Sequence, residues 1–171
     1  MSPPASSPLA PDIAARWDSL LDHVAGKVRS AGVFAEVTRL EHALEAGAKA
    51  SAAPASYRLF LDAGRAWVAL FTADRYLSQS IEQDLVHTGD KLPELLEEEL
   101  VDLGFLGLGN PSALLGVEHF RDPQKFFTFR TPLPIDLNQL EKNAQESAAV
   151  ALLAYEACFR RLGDMETNEN Q

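Results

Sequence analysis

Two pairs of short strands, each placed between amphipathic helices, are the feature of this sequence that most limits its fold. Residues 57–61 and 66–71 are rich in aromatic and β-branched side chains, and the segment between them contains Gly64. Glycine can take the positive φ that a tight hairpin turn requires. The second pair, residues 117–120 and 125–131, is joined by a segment that contains Asp122-Pro123, a dipeptide suited to opening a turn. The sequence therefore predicts two β-hairpins.

Three segments have apolar residues at the three- and four-residue spacing of an amphipathic helix. Each begins near an aspartate that can accept a capping hydrogen bond: Asp12, Asp90 and Asp136. The predicted helices extend over residues 12–31, 90–103 and 136–162. Gln139 follows Asp136 at the spacing of a capping box.

The other segments are less sharply patterned. Residues 33–47 fit a helical spacing, which we favour, although their β-branched start leaves a strand as the alternative. Small residues over 46–56 predict a mobile loop, and the glycine-rich stretch 104–116 predicts a packed turn. A third strand within residues 76–86 is left open. The predicted fold class is α+β, an antiparallel sheet of two hairpin units flanked by helices, in the order α-β-β-(β)-α-β-β-α.

The composition is that of one ordinary globular domain. The chain has 171 residues, of which 46% are hydrophobic and 23% are charged. The proline- and serine-rich residues 1–11 are expected to be disordered, residues 12–163 to form the domain, and residues 164–171 to be a flexible tail. Since neither a secretory signal nor an apolar run long enough for a membrane span is visible, we expect a cytoplasmic protein.

The net charge of the chain indicates which kinds of partner it can bind. Twenty-five acidic residues against 15 basic residues give a net charge of −10. Such a surface repels nucleic-acid phosphates and anionic lipids, so we expect neither a nucleic-acid nor a membrane partner. A basic or neutral partner is compatible with it.

Residues that carry chemistry do not form a recognisable motif. The four histidines, at positions 23, 42, 87 and 119, have no metal-binding spacing. Gly107 and Gly109 lack the third glycine of a dinucleotide-binding fingerprint. The single cysteine, Cys158, lies on the apolar stripe of the last predicted helix, where a thiol is usually buried and inert. We therefore predict no metal, no cofactor and no enzymatic activity.

The strand at residues 66–71 is apolar on both faces. Trp67, Ala69 and Phe71 would share one face, and Val68 and Leu70 the other. Both faces are therefore expected to be covered, one of them by helices of this chain. The second face is either core as well or a surface for a partner or a second subunit.

The chain resembles the fold shared by type III secretion chaperones of the Tir-chaperone class and by YbjN-like proteins. The segment LPELLEEELVDLGFLGLGN resembles their central helix and the turn that follows it. KFFTFRTPLPIDLNQLEKNAQ is similar to their last strand and closing helix, and LFLDAGRAWVALF is similar to their first hairpin.

This resemblance implies a non-enzymatic bacterial protein that binds other proteins and forms a homodimer. A secretion chaperone holds an extended segment of an effector on apolar surfaces, whereas a YbjN-like protein would be a regulator of unknown biochemical activity. A small-ligand binder is the third alternative. By position, the residues that form the groove for the partner segment would be Trp67, Val68, Leu70 and Phe71. The residues of the dimer contact would be Leu96, Leu100 and Leu103.

Overall fold

A computed structural model describes residues 10–49, 51–103, 117–138, 140 and 142–165. In chain order the elements are α1 (Pro11–Ala31), β1 (Phe34–Leu40), β2 (Ala43–Ala48), β3 (Ala55–Asp62), β4 (Arg65–Thr72), α2 (Arg75–Thr88), α3 (Leu92–Asp102), β5 (Glu118–Arg121), β6 (Phe127–Pro132), α4 (Lys142–Phe159) and a 3₁₀ helix (Gly163–Met165). The fold is therefore α+β, as the sequence predicts.

The six strands form a single antiparallel sheet in the order β1-β2-β3-β4-β6-β5. Both predicted hairpins are present, as β3–β4 and β5–β6. In the first, Asp62 pairs with Arg65, and the two turn residues, Ala63 and Gly64, have φ of 53° and 74°. Positive φ at both central residues is the requirement of a tight type I′ turn, whose twist matches that of the flanking strands.

The predicted helix at residues 33–47 is wrong, because this segment forms the additional hairpin β1–β2. The spacing of Val37, Leu40 and Leu44 fits a helix, but in the sheet Val37 pairs with Ala46 and Leu40 with Ala43. Contact with α1 holds the turn, since Trp17 Nε1 donates to the carbonyl oxygen of His42 at 2.9 Å. A contact that joins residues this far apart is invisible to a local pattern.

A third strand at residues 76–86 is also not formed, because the segment lies within α2. The Asp74 carboxylate caps this helix by accepting from the Leu77 amide at 2.8 Å. Leu77 and Ile81, four residues apart, are buried on one helix face. Gly89, with φ of 78°, ends the helix.

The predicted caps of the other helices differ from those observed. The N-cap of α1 is Ala10 and not Asp12, and that of α3 is Lys91 and not Asp90; neither makes a side-chain capping bond. In both helices a proline occupies the first turn, where its missing N–H costs nothing.

The closing helix and the chain ends also differ from the prediction. α4 begins at Lys142, and the Asp136 carboxylate instead accepts from the Asn138 amide at 2.9 Å. Met165 is buried in the 3₁₀ helix, so the chain remains packed two residues into the predicted tail. Residues 1–9, Gln139, the predicted turn at 104–116 and residues 166–171 lie outside the described residues.

The core lies between one face of the sheet and the helices α1 and α4. α3 packs against α4, and α2 packs against β4 and the 3₁₀ helix. The buried residues of α4 include Ala144, Ala148 and Ala151, whose small side chains permit close approach. Among the described helices, none combines the length and apolar character needed to cross a membrane.

Candidate functional site

The central strands of the sheet have two apolar faces of different kinds. We call the face that packs on the helices the inner face; its residues Leu59, Val68, Leu70 and Phe129 belong to the continuous core. We call the opposite face the outer face. In β3, β4 and β6 it comprises Arg58, Phe60, Trp67, Ala69, Phe71, Thr128, Arg130 and Pro132. The described helices pack on the inner face, and none of them covers the outer face.

Arg130 covers the indole of Trp67 on the outer face. Its guanidinium lies 3.9 Å from the Trp67 ring centroid and 5.0 Å from that of Phe120. The same guanidinium donates to the carboxylates of Asp62 at 2.9 Å and Glu118 at 3.2 Å. Trp67 is consequently only 6% exposed although it lies outside the helix-covered core.

Arg58 covers Phe71 in the same way. The guanidinium lies 4.7 Å from the ring centroid and donates to the Glu45 carboxylate at 2.6 Å. The rings of Phe60 and Phe126 contact Phe71 at centroid distances of 5.8 and 6.4 Å. The outer face therefore combines aromatic side chains with arginines whose charges are balanced by neighbouring carboxylates.

A groove of about 530 Å³ lies across this face. Its apolar and aromatic lining includes Leu40, Phe60, Phe71 and Phe120, and Arg58 and Arg130 also line it. Leu40 and Ala43 belong to the β1–β2 hairpin, and residues 122–124 belong to the β5–β6 turn. Since these lie towards opposite sides of the sheet, the groove crosses β3, β4 and β6. We call it the outer-face groove.

The lining of the groove combines apolar and charged side chains. Leu40, one of the apolar residues of the lining, is 41% exposed. Arg58 and Arg130 are engaged with carboxylates. Within the described part of the chain, no group of three or more His, Cys, Asp or Glu side chains is arranged to hold a metal ion.

The four groove residues implied by the resemblance are divided between the two faces. Phe71 lines the outer-face groove and Trp67 lies beneath Arg130. Val68 and Leu70 are fully enclosed in the core. Their burial leaves Trp67 and Phe71 as the members of that set on the outer face.

Sequence reasoning missed the residues that complete the groove. Phe60 lies opposite Trp67 across the β3–β4 hairpin, so its place follows from the two-residue turn. Phe120 reaches the groove only because β6 pairs with β4. That pairing joins segments far apart in the chain, and no local pattern signals it.

The predicted dimer residues are divided as well. Leu96 and Leu100 are buried in the core, on a helix that packs against α4 of the same chain, whereas Leu103 is 40% exposed. Val101 on the same helix is 50% exposed. A homodimer remains a prediction, and among the described residues of this region Val101 and Leu103 are the large apolar side chains exposed enough to meet a second copy.

Cys158 is in the environment expected of an inert thiol. It is buried in α4, and burial, with Glu99 adding a smaller effect in the same direction, raises the pKa of the thiol to about 12. The reactive thiolate is therefore scarce at neutral pH.

Comparisons with known proteins identify no relative. Neither models of protein families, nor curated proteins, nor solved structures gave a match to this chain. The resemblance to secretion chaperones and YbjN-like proteins consequently rests on the quoted sequence segments alone.

Proposed function

We propose that this chain is a non-enzymatic protein-binding module that holds an extended segment of a partner protein in the outer-face groove. The observation that carries the proposal is an apolar, aromatic groove on a sheet face without a covering helix among the described residues. Burial of partner side chains against Phe60, Phe71 and Phe120 would supply the affinity.

The dimensions of the groove favour an extended segment. From β2 to β5 there are four interstrand spacings of about 4.8 Å, or about 19 Å in total, which is the length of about six extended residues. A groove of about 530 Å³ has room for several side chains. A partner strand crossing the sheet would place alternate side chains into it.

The charge of the chain favours an apolar segment flanked by lysine or arginine. The net charge is −10, while the two arginines of the groove are engaged with carboxylates of the sheet. Asp122 adds a negative charge at the groove itself. Basic flanking residues would therefore speed association, with a rate that falls as salt is added.

We infer a cytoplasmic location for this activity. The only cysteine is Cys158, which is buried as a free thiol. A chain stabilised without disulfides is suited to a reducing compartment.

The proposal is tested with peptides selected on the protein from a random display library. We expect the selected sequences to combine apolar or aromatic residues with basic flanks. The double substitution Phe60→Ala and Phe120→Ala should weaken their binding about 30-fold or more, because two central aromatic contacts are lost. Val86→Ala on α2, an 83% exposed apolar residue away from the groove, is the matched control and should leave the affinity unchanged.

Two results would contradict the proposal. One is that peptides bind the double variant as tightly as they bind the unsubstituted chain. The other is that selection yields no enrichment of apolar–basic sequences while a small molecule stabilises the protein, which would point to a ligand site.

A further inference from the structure

Two strongly exposed apolar side chains on α2 lie outside the outer-face groove. Tyr76 and Val86 are 77% and 83% exposed, the highest values among the large apolar residues of the described part of the chain. Gln79 and Gln83, also exposed, lie between them at the helical spacings i+3 and i+7. At about 100° per residue, these four positions fall within about 80° of the helix circumference. They form one stripe, which we call the α2 stripe.

The α2 stripe points away from the core and carries no charge. On the opposite side of the helix, Leu77 and Ile81 are buried in the continuous core. The four residues of the stripe are uncharged although the chain has a net charge of −10. At one edge of the stripe Asp84 accepts from the Gly163 amide at 2.9 Å. An exposed apolar stripe without charge is therefore a surface at which two acidic chains can meet.

The exposed apolar surface of α3 has a different electrostatic character. Val101 is 50% exposed and lines a cavity of about 630 Å³ together with Glu94, Glu97, Glu98 and Asp102. Two copies that met at this surface would bring these carboxylates against one another, and like charges repel. The charge distribution therefore favours α2 over α3 for a contact between two copies.

The residues of the α2 stripe are complementary to themselves. Consider two antiparallel copies of α2 related by a two-fold axis that passes beside Ile81. Tyr76 and Val86 each lie five residues from Ile81, so each tyrosine ring meets a valine of the other copy. Gln79 and Gln83, each two residues from Ile81, also meet, and their amides both donate and accept hydrogen bonds. A two-fold interface requires this reciprocity of contacts.

The charges at the other edge of the stripe match in the same arrangement. Arg75 and Glu82 both lie at this edge, and a two-fold antiparallel pair brings like edges together. Arg75 of each copy is then displaced by five residues, or about 7.5 Å along the axis, from Glu82 of the other copy. A long arginine side chain can cover this distance. One carboxylate oxygen of Glu82 is already 2.8 Å from His119 Nε2.

We propose that the α2 stripe joins two copies of this chain, with α2 packed antiparallel against α2 about Ile81. The helix has 14 residues and is about 21 Å long. A single pair of such helices buries less than the about 800 Å² per partner of a standard interface, so we expect a dissociation constant above about 1 µM. The described helices pack on the inner face, so the outer-face groove stays open in this dimer, and the proposal does not rest on the proposed function.

Sedimentation equilibrium of the full chain from about 5 to 500 µM tests the proposal, and the mean mass should rise from monomer towards dimer. Tyr76→Lys or Val86→Glu alone should weaken dimerisation at least about tenfold, because each change removes two symmetry-related apolar contacts. Together they place an ammonium group opposite a carboxylate at both ends, and dimerisation should largely recover. Val101→Glu on α3 is the control and should dimerise as the unsubstituted chain does. Circular dichroism checks that each variant is folded.

A chain that stays monomeric over the whole range overturns the proposal. A dimer that Tyr76→Lys leaves unchanged, or that Val101→Glu disrupts, does so too. If the double variant dimerises no better than Tyr76→Lys alone, the antiparallel pairing of residues 76 and 86 is wrong.

The test is independent of the groove. It contains no peptide, so a monomeric chain leaves the proposed function standing. Val86→Ala should weaken the dimer and still leave peptide affinity unchanged. Peptide binding that survives in the Phe60→Ala, Phe120→Ala variant would contradict the proposed function and leave the dimer standing.

Discussion

The guanidinium of Arg130 lies 3.9 Å from the ring centroid of Trp67 and binds carboxylates on β3 and β5 at the same time. This contact explains how Trp67 is nearly excluded from water on a face that none of the described helices covers. Arginines bonded to carboxylates cover part of the aromatic surface and leave the remainder as a groove.

Removing this cover should destabilise the fold. Arg130→Leu eliminates the cation–π contact with Trp67 and the ion pairs with Asp62 and Glu118. We expect the free energy of unfolding in urea to fall by about 1–2 kcal/mol. Arg16→Leu, at an exposed position on α1, is the matched control. Equal stability of the two variants would show that Arg130 does not support the outer face.

The β3–β4 turn should respond to substitution through its backbone alone. A Cβ added at Gly64 meets nothing within 4 Å, but φ there is 74°. Gly64→Ala is therefore expected to destabilise by about 1 kcal/mol. Gly26→Ala in the middle of α1 also meets no neighbour within 4 Å, and it should instead stabilise by about 0.5–1 kcal/mol. Thermal unfolding of both variants measures the difference, and a shift of the same sign in both would refute the argument.

Removing only one of the two hydroxyl groups in the buried hydrogen bond between β6 and α4 should lower the stability of the fold. Thr131 and Tyr155 are fully buried, and their hydroxyl oxygens lie 2.6 Å apart. Thr131→Val leaves the phenol without this partner, and we expect a loss of about 1–3 kcal/mol. Adding Tyr155→Phe to that variant should recover part of the loss. If the double variant is less stable than the sum of the single ones predicts, the hydroxyl pair is not the cause.

The buried thiol should make stability depend on alkaline pH. Burial raises the pKa of Cys158 from about 9 to about 12. Because the folded state keeps its proton over this range while the unfolded state loses it, the contribution is present below about pH 9 and decreases as pH rises towards 12. Comparison with Cys158→Ala isolates this contribution from the tyrosines, of which Tyr57 and Tyr155 also have pKa values raised by burial. Parallel stability curves for the two proteins above pH 9 would contradict it.

Local patterns predicted the β3–β4 hairpin because its turn is determined by a few adjacent residues around Gly64. They failed at residues 33–47 because the spacing of Val37, Leu40 and Leu44 fits a helix as well as it fits the sheet. The contact of Trp17 with His42 helps to hold the hairpin, and it joins residues 25 positions apart. The spacing of apolar residues within a segment therefore does not decide between helix and strand when contacts with distant residues favour one of them.

The candidate site was predictable only in part, because contacts between distant segments leave no local sequence pattern. Trp67 and Phe71 fall on one face by simple alternation along the strand. Their association with Phe120 and Arg130 depends on the pairing of β4 with β6, in which Phe71 lies opposite Thr128. In that register Phe129 contacts Phe159 and Thr131 bonds Tyr155, both on α4, and no short segment of sequence encodes these contacts.

The outer-face groove is proposed to hold an extended partner segment. The most direct test is to map the chemical-shift changes that a display-selected peptide causes in the labelled full chain. We predict the largest changes at Phe60, Phe71, Phe120 and the arginine side chains of Arg58 and Arg130. Changes concentrated on α3, or spread over the helices with the groove unaffected, would contradict the account.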